Sequence, residues 1–365
     1  MMEDLFVINS AGNLFYSWHS EIKINQSDDL ISGFLSAINS FASIERGEDI
    51  KALKLKETTI IFEKDDKFEI SFIATTKNPE IIELIHLLIH ELMQIFTAKF
   101  SDILSKEFDG EVSKFDLFKK DMDYIINAFG LDILLSSIKK IDEKGIFKSI
   151  TYIEPKSGHI FYIHAKTYVN KEKLSFLIPL IMNSARLLCQ DNLKEKVRWI
   201  LLNTIKNENL LVELRDKLII AKQYELPSNF ENEFLALDFF KEKSKYVNKP
   251  LILAEKFDSI KWDPKIKQIF LVDLVGKVFY SKIIDSSYDC SRYTPETISF
   301  LTASKKASQE IYNRILFNAS IGAEKLAITC INFNNFALSL IGSTHELSDF
   351  IVIENLCLDI LKQLK

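Results

Sequence analysis

A chain of 365 residues is long enough for two or three domains rather than one. Its 47% hydrophobic and 27% charged residues exclude a wholly disordered or fibrous protein. The formal charge of −5 divides into −10 over residues 1–130, +5 over 131–250 and 0 over 251–365, without the basic excess of a nucleic-acid binder.

In the first segment, 1–130, residues 5–8 are apolar and β-branched and lead into Gly12-Asn13-Leu14-Phe15-Tyr16, which predicts a hairpin with the glycine at positive φ. Ser27-Asp28-Asp29 reads as a helix cap ahead of apolar residues at helical spacing, and Gly47 closes that helix. Strands follow over 52–56, 58–63 and 68–75. Asn78-Pro79-Glu80 opens a long helix to about Leu104, and a further helix spans 114–128.

The second segment, 131–250, begins with a helix over 131–141 and a strand over 146–153, then repeats the turn as Gly158-His159-Ile160-Phe161-Tyr162. Asn170 caps a helix to about Cys189 that Pro179 should kink. Strands over 197–205, 210–215 and 218–224 and a helix over 229–245 complete it. The third segment, 251–365, runs from a strand over 269–272 through Gly276-Lys277-Val278-Phe279-Tyr280 to a helix opened by Thr294-Pro295-Glu296. It offers strands over 326–331 and 336–341, one irregular or missing strand near 317–321, and a closing helix over 345–364.

Three Phe-Tyr pairs, each with a glycine three residues earlier, stand where random order of 28 Phe and 11 Tyr gives about one. The element order strand, strand, helix, two or three strands, helix is therefore written three times. The expected fold class is α/β (α+β): three five-stranded, mostly antiparallel sheets in tandem, each with helices on both faces. Adjacent strand residues point to opposite faces, so burying both Phe15 and Tyr16 requires cover on both sides.

A unit of this order opening with Leu5-Phe6-Val7-Ile8-Asn9-Ser10-Ala11-Gly12-Asn13-Leu14-Phe15-Tyr16-Ser17 resembles the longin domain, a profilin-like module of membrane-traffic proteins. Three in one chain resemble the tri-longin regulators of small GTPases. The helix over 131–141 is how the related roadblock module begins, so the second and third segments are longin- or roadblock-like. The resemblance implies a non-catalytic platform that binds or regulates a small GTPase, within a nucleotide-exchange complex, as a homo- or heterodimer through its modules. A structural adaptor, tether or coat subunit without effect on exchange is the alternative.

Individual residues add little chemistry. His86 and His90 share a helix face, but Leu87 and Ile89 stand where either metalloprotease motif needs glutamate, and no third ligand is near in sequence. No G-x-x-x-x-G-K-[ST] loop or G-x-S-x-G elbow occurs, so neither catalysis nor a cofactor is expected. The second hairpin strand is a candidate sheet edge, which makes Leu14, Tyr16 and Trp18 candidate interface residues, although the same side chains also suit a core. Lys241, Lys243, Lys245 and Lys249 complement a helix C-terminus and are candidates for anionic-lipid contact. Four cysteines without C-x-x-C spacing, and apolar runs interrupted before the ~18 residues a bilayer span needs, imply a cytoplasmic protein that is at most peripheral to a membrane.

Overall fold

The structure is a computed structural model and describes residues 2–20, 28–47, 50–106, 108, 110–129, 147–206, 208–215, 217–225, 250–260, 262, 265–286, 293–333 and 335–343. The chain divides into two compact units, Met1–Lys140 and Ile141–Lys365. Both are α+β with antiparallel sheets.

The first unit contains β1 (Met2–Asn9), β2 (Leu14–His19), α1 (Asp28–Arg46), β3 (Ala52–Lys54), β4 (Thr59–Asp65), β5 (Ile70–Thr76), α2 (Ile82–Leu104) and α3 (Lys119–Ala128). Its strands lie in the order β2-β1-β5-β4-β3. The middle strands are buried on both faces: Leu5, Phe6, Val7, Phe72 and Ile73 are all essentially inaccessible to solvent. Phe6, Ile8, Ile60, Phe62 and Ile73 meet Leu35 of α1 on one side. On the other side, Phe72 meets Phe96 of α2 edge-on at 5.5 Å. Asn78 caps the approach to α2 by accepting from the Glu80 amide, with Pro79 in the first turn. Leu84, Ile85, Leu88, Ile89, Leu92, Met93 and Phe96 of α2 then form one continuous buried stripe. The helix expected over 114–128 is in two parts, a tight 3-10 stretch (Val112–Phe118) followed by α3, which seats Phe115 and Phe118 against Phe96 and Phe100.

The second unit contains β6 (Phe147–Ile153), β7 (Ile160–Ala165), α4 (Lys171–Arg186), β8 (Val197–Thr204), β9 (Glu208–Leu214), β10 (Ile219–Glu225), α5 (Pro250–Ser259), β11 (Ile266–Asp273), β12 (Val278–Ile283), α6 (Thr294–Tyr312), β13 (Leu316–Ala323), β14 (Leu326–Phe333) and β15 (Phe336–Ser343). Its ten strands form one sheet, β12-β11-β15-β14-β13-β8-β9-β10-β6-β7. Each half repeats the strand order of the first unit. The halves join edge to edge where β8 and β13 pair antiparallel. Residues of α4 and α6 share one core cluster with one sheet face, while Phe257 and Ile260, in and just after α5, cover the other. At the seam Gly322 lies opposite Trp199, and a Cβ on that glycine would stand 2.0 Å from the indole.

Three expectations are corrected. The three separate five-stranded sheets are instead two sheets, because the second and third sets pair edge to edge through β8 and β13. The third set of strands is complete, because β13 is one continuous strand over Leu316–Ala323 and wholly buried as the central partner of β8, with register shifts near its two ends. Nor do the first and third Phe-Tyr pairs straddle their sheets. In all three hairpins the register passes from the tyrosine (Val7↔Tyr16, Tyr152↔Tyr162, Leu271↔Tyr280) to the residue before the phenylalanine (Ile8↔Leu14, Ile153↔Ile160, Val272↔Val278). Phe15, Phe161 and Phe279 are thus the extra residues of β-bulges, where facing no longer alternates. Phe15 and Tyr16 both turn toward the 3-10 stretch, on Phe115 and Phe118. Phe279 and Tyr280 likewise pack on one cluster. Phe15 is buried, whereas Phe161 and Phe279 are half-buried.

Helix α5 was not expected from the sequence; it supports β12 through Phe257, 5.8 Å from the Tyr280 ring, and Asp258, which accepts from the Tyr280 hydroxyl at 2.9 Å. The helices expected over 131–141, 229–245 and 345–364 lie outside the described residues. Pro179 sits inside α4 without ending it. Lacking an N–H, it frees the Ser175 carbonyl, and Gly158, at φ +76°, occupies the space against that oxygen: an added Cβ would lie 2.2 Å from it. Gly47, at φ +64°, ends α1 with nothing within 4 Å of such a Cβ. Gly47→Ala should therefore cost about 1–2 kcal/mol for the left-handed backbone alone. Gly158→Ala should add roughly 1–3 kcal/mol of overpacking to the same cost. Denaturant unfolding, reading each variant on its own unit's transition, checks that order.

Candidate interaction surfaces

Strand β2 is an outer strand of the first sheet, as β7 and β12 are of the second. It carries Leu14, Tyr16 and Trp18, all half-buried. The bulge divides them. Leu14 packs toward α1 with Phe6, Ile8 and Leu35, while Tyr16 meets Phe118 edge-on at 5.3 Å. Trp18, two residues further along and opposite Leu5, shares the Tyr16 side. Burial, with Asp123 and Asp116 nearby, pushes the Tyr16 hydroxyl up to about 12. The edge thus presents two half-covered faces rather than one aromatic patch. Lys241, Lys243, Lys245 and Lys249 lie outside the described residues.

Beside this edge is a polar cluster that the sequence patterns did not point to. His19, the last residue of β2, has Nδ1 2.8 Å from Asp4 Oδ1 and Nε2 3.1 Å from Asp28 Oδ2. Asp4 also accepts from Thr75 at 2.8 Å, and Asp28 from Ser17 at 2.6 Å. One imidazole therefore ties β1, β2 and the first residue of α1 together. Burial opposes its charge, but hydrogen bonds to both carboxylates outweigh that and hold His19 above the usual imidazole range. The available signal was a lone acid, Asp4, inside an apolar strand, since such a residue needs a partner. A raised folded-state value gives stability that is complete below the ordinary imidazole value near 6.5 and is lost as pH rises through the elevated one. Melting of the first unit should accordingly weaken over that window, and His19→Gln should flatten the dependence; an unchanged pH profile in the variant would count against the assignment.

The second unit holds a buried ion pair. Lys222 of β10 donates to Glu213 of β9, both within a few percent of complete burial, and Arg215 reaches the other carboxylate oxygen at 3.2 Å. Lys148 bridges Glu208 and Glu225 at 3.1 and 2.8 Å nearby. Removing Lys222 leaves the buried Glu213 carboxylate with only the partly exposed Arg215 to compensate it. Lys222→Met should cost about 3–5 kcal/mol, and adding Glu213→Leu should recover most of it. Chemical unfolding of the single and double variants tests this.

His86 and His90 both reach Glu63 of β4, at 3.6 and 3.3 Å. They make a polar helix-to-sheet contact, and among the described residues no group of three His, Cys, Asp or Glu is placed to hold a metal ion. Helix Pro79–Leu104 alone, among the described residues, is long and apolar enough to cross a membrane, and its buried stripe lies against the sheet. No protein-family model and no curated protein matches the chain.

Proposed function

We propose that this chain is a non-catalytic interaction platform of longin- and roadblock-like modules that binds or regulates a small GTPase, within a nucleotide-exchange assembly in membrane traffic. The observation that carries the reading is the strand order 2-1-5-4-3, with a helix after the second strand, occurring three times, twice as halves of one sheet. The element order strand, strand, helix, three strands is the part of it that the longin resemblance of residues 5–17 implies. A sheet with free outer strands and helical flanks suits recognition of a folded partner, because edge backbone groups supply affinity and flanking side chains supply selectivity. Half-buried Leu14, Tyr16 and Trp18 of β2, with exposed positions of the neighbouring helices, are the proposed contact region, and the lysines over 241–249 the proposed membrane contact.

Release of a fluorescent guanine nucleotide from purified small GTPases, with and without the chain, is the decisive measurement. Accelerated release supports a part in exchange. Binding without acceleration supports an adaptor or tether subunit instead. Absence of both binding and acceleration across representative GTPases would overturn the platform reading.

A further inference from the structure

The first unit holds a cavity that the proposed contacts leave unused. It lies at one end of the sheet, where the β1–β2 turn, the β4–β5 turn, the end of α2 and the 3-10 stretch converge, and its volume is about 170 Å³. Apolar cavities of about 150 Å³ hold a benzene ring, so this one admits roughly six to nine non-hydrogen atoms. The bulge residue Phe15 forms part of its wall, stacked on Phe115 at 4.7 Å and tilted against Phe108 at 4.8 Å. Phe15 and Phe115 are buried, so this aromatic wall is already in place without a ligand to order it.

The rim is polar and exposed. Ser10 donates to Glu69 Oε2 at 3.1 Å, which fixes the carboxylate and leaves Oε1 without a hydrogen-bond partner among the described residues. Glu69 stands at φ +51°, a left-handed backbone that suits glycine or asparagine better, so a carboxylate is kept at this corner against the local preference. Lys106, two residues past the end of α2, lines the same cavity, and its ammonium makes no ion pair among the described residues. One opening thus carries a carboxylate and an ammonium that do not pair with each other, above an aromatic wall.

We propose that this cavity binds a free α-amino acid with an apolar side chain of valine or leucine size. Its ammonium meets Glu69, its carboxylate meets Lys106, and its side chain lies on the phenylalanine wall. Charge complementarity selects this class. A purely cationic ligand would meet Lys106 and a purely anionic one Glu69, each a like charge, while a neutral apolar ligand would leave both charges unanswered. An α-amino acid carries both charges and its side chain on a single carbon, which suits one opening over one small cavity. The inference goes beyond the platform reading, and neither depends on the other.

Isothermal titration of the full chain with L-valine and L-leucine should give saturable binding at one site. Isocaproate lacks the amine of leucine, isoamylamine lacks its carboxylate, and glycine lacks the side chain; each should bind about tenfold more weakly, the scale of one charge-assisted contact or one buried isobutyl group. Glu69→Gln should weaken leucine and isoamylamine but spare isocaproate, and Lys106→Met should weaken leucine and isocaproate but spare isoamylamine. Both residues are exposed, so circular dichroism and melting should stay unchanged in either variant. Phe108→Ala should weaken leucine and both of its analogues. The proposal is overturned if neither amino acid binds saturably, if the single-charge analogues bind as tightly as leucine, or if the two charge substitutions fail to separate the analogues. Nucleotide release is measured without any of these ligands, so the two readings fail separately.

Discussion

The antiparallel pairing of β8 with β13 organises the second unit. Each five-strand set ends in a row of unpaired backbone donors and acceptors, and burying such a row without partners is prohibitive. Joining the two rows satisfies both and makes the wholly buried strand β13 possible. It also brings α4 beside α6 over one continuous core that runs from Ile153 to Ile341. Trp199 and Gly322 show how tightly this seam closes, since the indole takes the volume a side chain would need. In the first unit the corresponding strand β3 is three residues long and bordered by lysines, a form that limits indiscriminate edge pairing.

A second theme is how covered sheets accommodate polar groups. Equivalent positions on the fourth strand hold Glu63 and Glu213, met by helix histidines in one case and by Lys222 and Arg215 in the other. Asp4, deep in β1, is held by Thr75 and His19. For Glu213 and Asp4, carboxylates that could not be buried alone are retained because cations, an imidazole or a hydroxyl arrive from a neighbouring element, whereas Glu63 stays partly exposed. These groups tie strands to helices at defined registers. In a repeated architecture that also distinguishes one set from another.

Much of this was legible from the residues. The glycine turns, the strand and helix order, the Asn78 and Asn170 caps and the buried stripe of α2 follow from local patterns, because turn geometry and helical periodicity depend on neighbours in sequence. The bulges were not. An extra residue in a strand leaves its β propensity unchanged, so a Phe-Tyr pair reads as ordinary alternation until the partner strand reveals the skipped position. Strand β13 read as irregular or missing for a different reason: Asn318 and Gly322, which interrupt its apolar residues, have low β propensity, and only its central, wholly buried place in the sheet makes the strand. Similarly, His19 lies far in sequence from Asp4, and no spacing rule connects them.

The amino-acid order by itself determined the threefold recurrence of strand, turn, strand and helix, because each element rests on contacts within a few residues. Only the tertiary structure decided that two of the three sets share a single sheet. It alone decided that both aromatics of the first and third pairs turn to one side, and that α1 leaves Leu30, Phe34 and Phe41 exposed. The physical reason is that pairing between strand edges, and burial between helices, depends on which distant surfaces complement each other, a property that no local window contains.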